Sequence, residues 1–288
     1  MAYESTAALR QALEARLGTR SRETRIDLER LRRRAAFERL LVRLELGAPR
    51  RWIVKGGMAL EIRLGDRARS TRDLDLAVRE AESSAAALRE LLIDCLSVDR
   101  EQDGFEFLVA EPTLVMPDEA GRPGWRFPVE SRMGGRTFAR VRVEVVARAD
   151  EIAKTQRVEL PGLLDFAGLE RHEVEVVDPA QHFAEKVHAL TRTYGGRPNT
   201  RVRDLPDSVL LIDEGLEPSA EVHAIVSGLF RLRATHSVPA ELPDPPPFWR
   251  ERYRAIAHEL DVSAKTLEEA MALVRSFWST LIRVGKER

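Results

Sequence analysis

The chain has a single cysteine, Cys95, among 288 residues. No internal disulfide can form, and no cysteine-based zinc site can be assembled. This suits a reducing compartment, and we expect the cytoplasm. No stretch approaches the roughly 18 apolar residues that a helix needs to cross a bilayer. The N-terminus, Met-Ala-Tyr-Glu-Ser, lacks the basic start and apolar run of a secretory leader. No membrane partner is expected. Lysine is scarce, with five against 41 arginines, and the net charge of −1 names no partner by itself.

The distribution of charge says more. Residues 1–72 hold 18 Lys and Arg against 9 Asp and Glu, a local excess of +9 that the rest of the chain offsets. Such a segment suits a polyanion such as RNA. A solvated helix face in an arginine-rich chain explains it equally well.

The length fits one large domain or two modest ones. Residues 7–17 and 22–46 read as helices. The second carries Ile26, Leu31, Leu41 and Leu44 near a 3.6-residue period, with Ser21 as N-cap and Pro49 past its end. Arg51 to Val54 reads as a short strand leading into Lys55-Gly56-Gly57 and an apolar helix, Met58 to Leu64. Asp73 to Val78 is a strand, 81–95 a helix, and Phe105 to Val109, Trp125 to Ser131 and Arg140 to Val146 are extended. Gly134-Gly135 marks a hairpin turn before the last of these. Beyond about residue 150 helices prevail, at 179–193, 202–213, 219–234, 248–260 and 263–283, the last capped by Ser263. The proline-rich run 241–247 is a stiff linker or loop. The expected plan is α/β (α+β). An N-terminal domain over 1–155 carries the strands, and a mostly helical domain over 156–288 follows.

Chemistry concentrates in Ser-Thr-Arg-Asp-Leu-Asp-Leu, residues 70–76. In a strand, residues i and i+2 point to one side, so Asp73 and Asp75 present two carboxylates while Leu74 and Leu76 face the core. Two like charges that close repel unless a cation lies between them. Magnesium takes hard oxygen ligands, commonly one or two carboxylates plus substrate phosphates; manganese is the alternative. Glu144 lies on the alternating strand Arg140 to Val146. As a neighbour it would be a third ligand or the base that takes a proton from an attacking hydroxyl.

Asp-x-Asp alone is common on solvated strands. The diglycine before it adds weight, because Gly56-Gly57 follows a strand and opens a helix. Glycine admits close approach of a ligand, and free N–H groups at a helix start attract phosphate. Lys55 adds a charge beside them, and Ser70 and Thr71 could contact phosphate or cap the turn. A phosphate cradle, a helix and then a carboxylate pair can hold a metal-bound nucleoside triphosphate. Trp52 and Trp125 read as core residues, and His182 and His188 lack a third ligand at zinc spacing.

The run Lys-Gly-Gly-Met-Ala-Leu-Glu-Ile-Arg-Leu-Gly, followed by Arg-x-Thr-Arg-Asp-Leu-Asp-Leu, resembles the first motif of the AbiEii/AbiGii nucleotidyltransferase toxin family. That family belongs to the DNA polymerase β-like superfamily, with the mycobacterial MenT toxins as relatives. Gly57 stands where the superfamily has serine, and the spacer is longer. Ala-Glu-Lys-Val-His-Ala-Leu (184–190) matches the family's helical lysine at Lys186. Thr-Arg-Val-Arg-Asp-Leu-Pro-Asp (200–207) matches Arg-x-x-Lys-Asp, with Arg203 in place of the lysine and Asp204 as the acid.

The resemblance implies a nucleotidyltransferase-type mixed sheet flanked by helices. It implies Asp73, Asp75, Lys186 and Asp204 as catalytic residues, to which the strand alternation adds Glu144, and Lys55, Gly56, Gly57, Thr71, Lys186 and Arg203 at the nucleotide. It further implies transfer of a nucleoside monophosphate to an acceptor hydroxyl, with the 3′ end of tRNA as acceptor and arrest of translation as outcome, and an AbiEi-like antitoxin as partner. Lys186 would offset charge on the departing pyrophosphate. Rival readings are transfer to a protein side chain, a nucleotide-binding regulator without chemistry, and a structural RNA-binding protein.

Overall fold

The computed structural model describes residues 3–80, 84–115, 124–147, 149–260 and 262–286. The chain divides into two compact units. One comprises Met1–Asp66, Ser70–Ala149 and Gln156–Val176; the other comprises Arg67–Arg69, Asp150–Thr155 and Val177–Arg288.

The first unit is built on helices α1 (Thr6–Thr24) and α2 (Leu28–Gly47), strand β1 (Trp52–Lys55), helix α3 (Gly56–Leu64), strand β2 (Asp73–Val78) and helix α4 (Ala85–Ser97). Strands β3 (Phe105–Val109), β4 (Thr113–Val115), β5 (Gly124–Met133), β6 (Arg136–Val146), β7 (Thr155–Glu159) and β8 (Glu173–Val177) follow. They form a mixed sheet in the order β3-β5-β6-β2-β1-β8-β7, with β4 on the side of β5. Strand β2 runs antiparallel to β1 and parallel to β6. This is the expected mixed sheet flanked by helices.

The alternation read from the sequence sets the faces. Leu74, Leu76, Val143 and Val145 are fully buried, while Asp73, Asp75 and Glu144 are partly open. Gly134 and Gly135, both at positive φ, turn β5 into β6 as expected. A bulge at Ser131/Arg132 shifts the register, so Phe138 and Ala139 are buried in succession. Trp52 and Trp125 are core residues.

Several boundaries differ from expectation. Helix α1 continues through Ser21, which is not a cap; its hydroxyl donates to the Ile26 carbonyl, and Asp27 caps α2 through the Arg30 N–H. The expected helix 81–95 is α4, and residues 81–83 lie outside the described residues. A boundary near 155 misses that 156–176 return to the first unit: β8 lies beside β1, pairing Val54 with Val176. The valines of Glu-Val-Glu-Val-Val are long-range partners that local pattern does not connect.

The excess charge of the basic N-terminal segment is met in part by acids from beyond residue 72. Arg39 and Arg43 are buried against Asp103, with bonds of 2.8 and 2.5 Å, and Arg39 also meets Glu101. Arg30 and Arg34 share Glu61, and Arg32 bridges to Glu14.

The second unit contains α5 (Pro179–Thr191), α6 (Asp204–Asp213), α7 (Ala220–Arg233), α8 (Trp249–Leu260) and α9 (Leu267–Lys286). Asp178 caps α5 by accepting from the Ala180 N–H at 2.9 Å, with Pro179 at the first position. Pro206 sits in the first turn of α6, where the missing N–H has no helical partner to lose. Ser263 does not cap α9. Its hydroxyl donates to Asp213, and the cap is a reciprocal pair in which Thr266 accepts from the Glu269 N–H and Glu269 accepts from the Thr266 N–H. The proline-rich run packs along α9, because Arg275 donates to the Leu242 carbonyl and Leu242 is buried. No helix among the described residues is long and apolar enough to cross a membrane.

Candidate active site

Strand register aligns the charged residues of the first unit. Lys55 on β1 lies opposite Asp75 on β2, Asp75 opposite Glu144 on β6, and Glu144 opposite Arg126 on β5. Directly opposite residues project to the same side of a sheet. The row Lys55–Asp75–Glu144–Arg126 therefore crosses four strands with charges +, −, −, +. Two residues away, Asp73 lies opposite Arg142. The Arg142 Nε donates to Asp73 Oδ1 at 2.5 Å, and the Arg126 Nε donates to Glu144 Oε1 at 2.7 Å. The Arg126 guanidinium is held above its ordinary value, chiefly by that bond to Glu144, with attraction from Asp73 and Asp75 added. Neither arginine was singled out from the sequence. The only local signal was their place on the polar side of alternating strands.

The diglycine has a sharper role than close approach to a ligand. Gly56 has φ +60°, and a Cβ built on it would lie 1.8 Å from Asp75 Oδ2. The Asp75 carboxylate thus occupies the space that any other residue at position 56 would fill. Lys55, buried, is the N-cap of α3 and leaves that helix start without a side-chain cap. The Thr71 hydroxyl faces the backbone: it donates to the Asp73 carbonyl at 2.9 Å and accepts from the Asp73 N–H at 3.3 Å. Ser70 accepts from Arg33 at 3.3 Å. Both fix the entry to β2.

Two carboxylates side by side on β2, with a third opposite one of them, supply hard oxygen donors. That donor set fits magnesium held by one or two carboxylates and completed by phosphate and water. A cage of three is not assembled: among the described residues, no group of three or more His, Cys, Asp or Glu side chains is placed to hold a metal ion.

In the second unit, Lys186 on α5 is buried with its ammonium donating to Asp204 Oδ1 at 2.9 Å and Asp207 Oδ2 at 2.7 Å. Burial acts to lower the Lys186 ammonium, but the two carboxylates outweigh it and hold it above its ordinary value. Burial likewise opposes ionisation of Asp207, and Lys186 and Arg69 overcome it, so that carboxyl lies well below the usual range. Arg69 binds Asp207 at 2.9 and 3.1 Å, and Arg201 binds the second oxygen of Asp204 at 2.6 Å. Asp207 and Arg69 were missed in the sequence; their burial against Lys186 is a long-range fact. Arg203 is exposed at the start of α6. His188 is buried, its Nε2 2.9 Å from the Thr235 hydroxyl and its ring against Phe230.

The family model described as nucleotidyl transferase AbiEii toxin, Type IV TA system, matches residues 39–278. The chain belongs to this family. It is accordingly a nucleotidyltransferase of the AbiEii toxin family, with a nucleoside triphosphate as substrate.

Among solved structures, MenT4, the nucleotidyltransferase toxin Rv2826c from Mycobacterium tuberculosis H37Rv, is similar in fold. It is 19% identical, with a TM-score of 0.53, over 88% of this chain and 84% of that one. JHP933 from Helicobacter pylori is 13% identical over 86% of this chain and 90% of that one, at a TM-score of 0.44. No functionally curated protein matches the sequence.

Proposed function

We propose that this AbiEii-family protein transfers a nucleoside monophosphate from a magnesium-bound nucleoside triphosphate to an RNA hydroxyl, the 3′ end of tRNA, and thereby blocks translation in the cytoplasm. A cognate AbiEi-like antitoxin is the proposed partner. The observation that carries the reading is the Asp75 carboxylate seated on side-chain-free Gly56, with Asp73 beside it and Glu144 opposite.

Asp73 and Asp75 are the proposed metal ligands. The ion, when bound, would withdraw charge from the phosphate under attack. The N–H groups at the start of α3, at Gly56 and Gly57, favour phosphate, with Lys55 adding positive charge. Glu144 takes the proton from the attacking hydroxyl oxygen. A third metal ligand opposite Asp75 is the alternative role for it. Thr71 shapes the turn into β2 and so sets Asp73. Lys186 offsets charge on the departing pyrophosphate, and Asp204 with Asp207 fixes its ammonium. Arg203, exposed, is available to the nucleotide.

The test is incubation with labelled nucleoside triphosphates, total RNA and protein extract. Label that resists protease and is lost with RNase supports the RNA acceptor. Label in protein would replace it with modification of a side chain. Growth inhibition by an Asp75→Ala variant equal to that of the parent chain would refute catalysis as the basis of toxicity.

A further inference from the structure

We propose that Arg126 and Arg142 are triphosphate-binding residues kept in reserve by the metal-binding carboxylates, which release them when the cation arrives. This rests on the magnesium and triphosphate reading above.

Around the carboxylate pair, the polar face of the sheet sets Lys55, Arg126 and Arg142 against Asp73, Asp75 and Glu144, while farther along β5 and β6 Arg132 and Arg140 are turned to Glu130. The six charges around the pair balance without a metal. A divalent ion drawing on Asp73 and Asp75 leaves the face with an excess of positive charge. That excess is what a polyanionic triphosphate seeks.

The two arginines are also built differently from the structural ones nearby. Arg39 and Arg43 are 2% and 4% exposed, and each bonds more than one group. Arg126 and Arg142 are 41% and 47% exposed. Among the described residues, Arg142 bonds through Nε alone, to one oxygen of Asp73, and Arg126 spends both of its contacting nitrogens on one oxygen of Glu144. Exposed ion pairs of this kind contribute little to stability, so exchange is not costly. A guanidinium is a planar fork suited to two phosphate oxygens at once. The bond to Glu144 carries a second consequence: moving Arg126 onto phosphate frees that carboxylate oxygen to accept the proton from the attacking hydroxyl. Metal, triphosphate and base would then become competent together.

The test uses Arg126→Gln and Arg142→Gln in the full chain, with Mn2+ alone and magnesium tripolyphosphate as probes. Manganese binding is followed by its paramagnetic resonance and tripolyphosphate binding by calorimetry. Thermal melting confirms folding, and Arg142→Lys serves as a second variant that keeps the charge but not the fork. We expect opposite signs. Mn2+ alone binds Arg142→Gln several-fold more tightly, because its competitor for Asp73 is gone. Magnesium tripolyphosphate binds both Gln variants about 10-fold or more weakly, the scale of a lost charge-assisted hydrogen bond, and Arg142→Lys falls between. Unchanged tripolyphosphate affinity in both Gln variants would overturn the inference and leave the metal site standing. Weaker Mn2+ binding in Arg142→Gln would overturn the competition. Failure of the parent chain to bind either probe would instead remove the reading on which the inference rests.

Discussion

Replacing Gly56 by alanine separates the folding role of that residue from its chemical role. Two effects act. At φ +60° an L residue is strained, at a cost of about 1–2 kcal/mol. The new methyl would also lie 1.8 Å from Asp75 Oδ2, whereas ordinary contact begins at 3.4 Å, so the carboxylate must retreat by about 1.6 Å. The obstacle is the end of a side chain, which can swing, so little further stability is lost. The chemistry is less forgiving, since a misplacement of about 1 Å costs roughly 100-fold in rate. Gly65→Ala is the control. Gly65 has φ +56° with nothing within 4 Å of its Cβ, and its ψ of −119° lies in a region that glycine enters readily and other residues do not, so strain alone is tested there. We expect urea unfolding to show a loss of stability in both variants, no smaller in Gly65→Ala. Pyrophosphate release should fall by about 100-fold in Gly56→Ala and stay near the parent level in Gly65→Ala, and Mn2+ should bind more weakly to Gly56→Ala only. Equal activity in the two variants would refute the argument that Asp75 must sit on Gly56.

The remaining predictions follow from burial and charge. Burial pushes the Glu38 carboxyl up to about 7 from an ordinary 4.5, although it accepts from the Leu163 N–H at 2.8 Å. An acid raised in this way is ionised first in the unfolded chain, so its contribution to stability falls as pH climbs from about 4.5 to about 7. Glu38→Gln should therefore stabilise the protein at pH 8 relative to pH 4 by up to about 3 kcal/mol more than the parent; an offset independent of pH in urea titrations would contradict this. Lys186→Met leaves Asp204 and Asp207 buried with less compensation and should cost about 3–5 kcal/mol. Adding Asp207→Asn should recover part of that loss in the same unfolding assay. Asp73→Asn and Asp75→Asn keep shape and remove charge. Each should melt near the parent temperature and lose at least about 100-fold in nucleotide transfer, and a variant retaining activity would exclude its residue from the metal.

The basic N-terminal segment shows where charge counting misleads. Its excess of +9 is a property of the segment, yet Arg39 and Arg43 are buried against Asp103, which lies outside it. Acidic partners as distant in sequence as Asp103 do not enter a local count. An interaction with RNA should therefore be sought in the exposed cations of the polar sheet face as well as in this segment.

Local sequence determined the elements on which the site stands. Alternation in Asp73 to Val78 and Arg140 to Val146 follows from the two-residue period of a strand, and it put Asp73, Asp75 and Glu144 on open faces before any fold was known. The family motif likewise marked Lys186 and Asp204, which meet as an ion pair. Tertiary structure decided what lies beside what. Strand register, set by pairing between residues 18 (Arg126 and Glu144) to 69 (Asp73 and Arg142) positions apart, places Arg126 and Arg142 on the carboxylates and Lys55 opposite Asp75. It also returns 156–176 to the sheet. The close approach of Asp75 to Gly56 shows the division most clearly. The sequence called for a glycine there because backbone would come near a ligand, and the fold gives that glycine to a carboxylate, because a residue's neighbours across a sheet are not written in its neighbours along the chain.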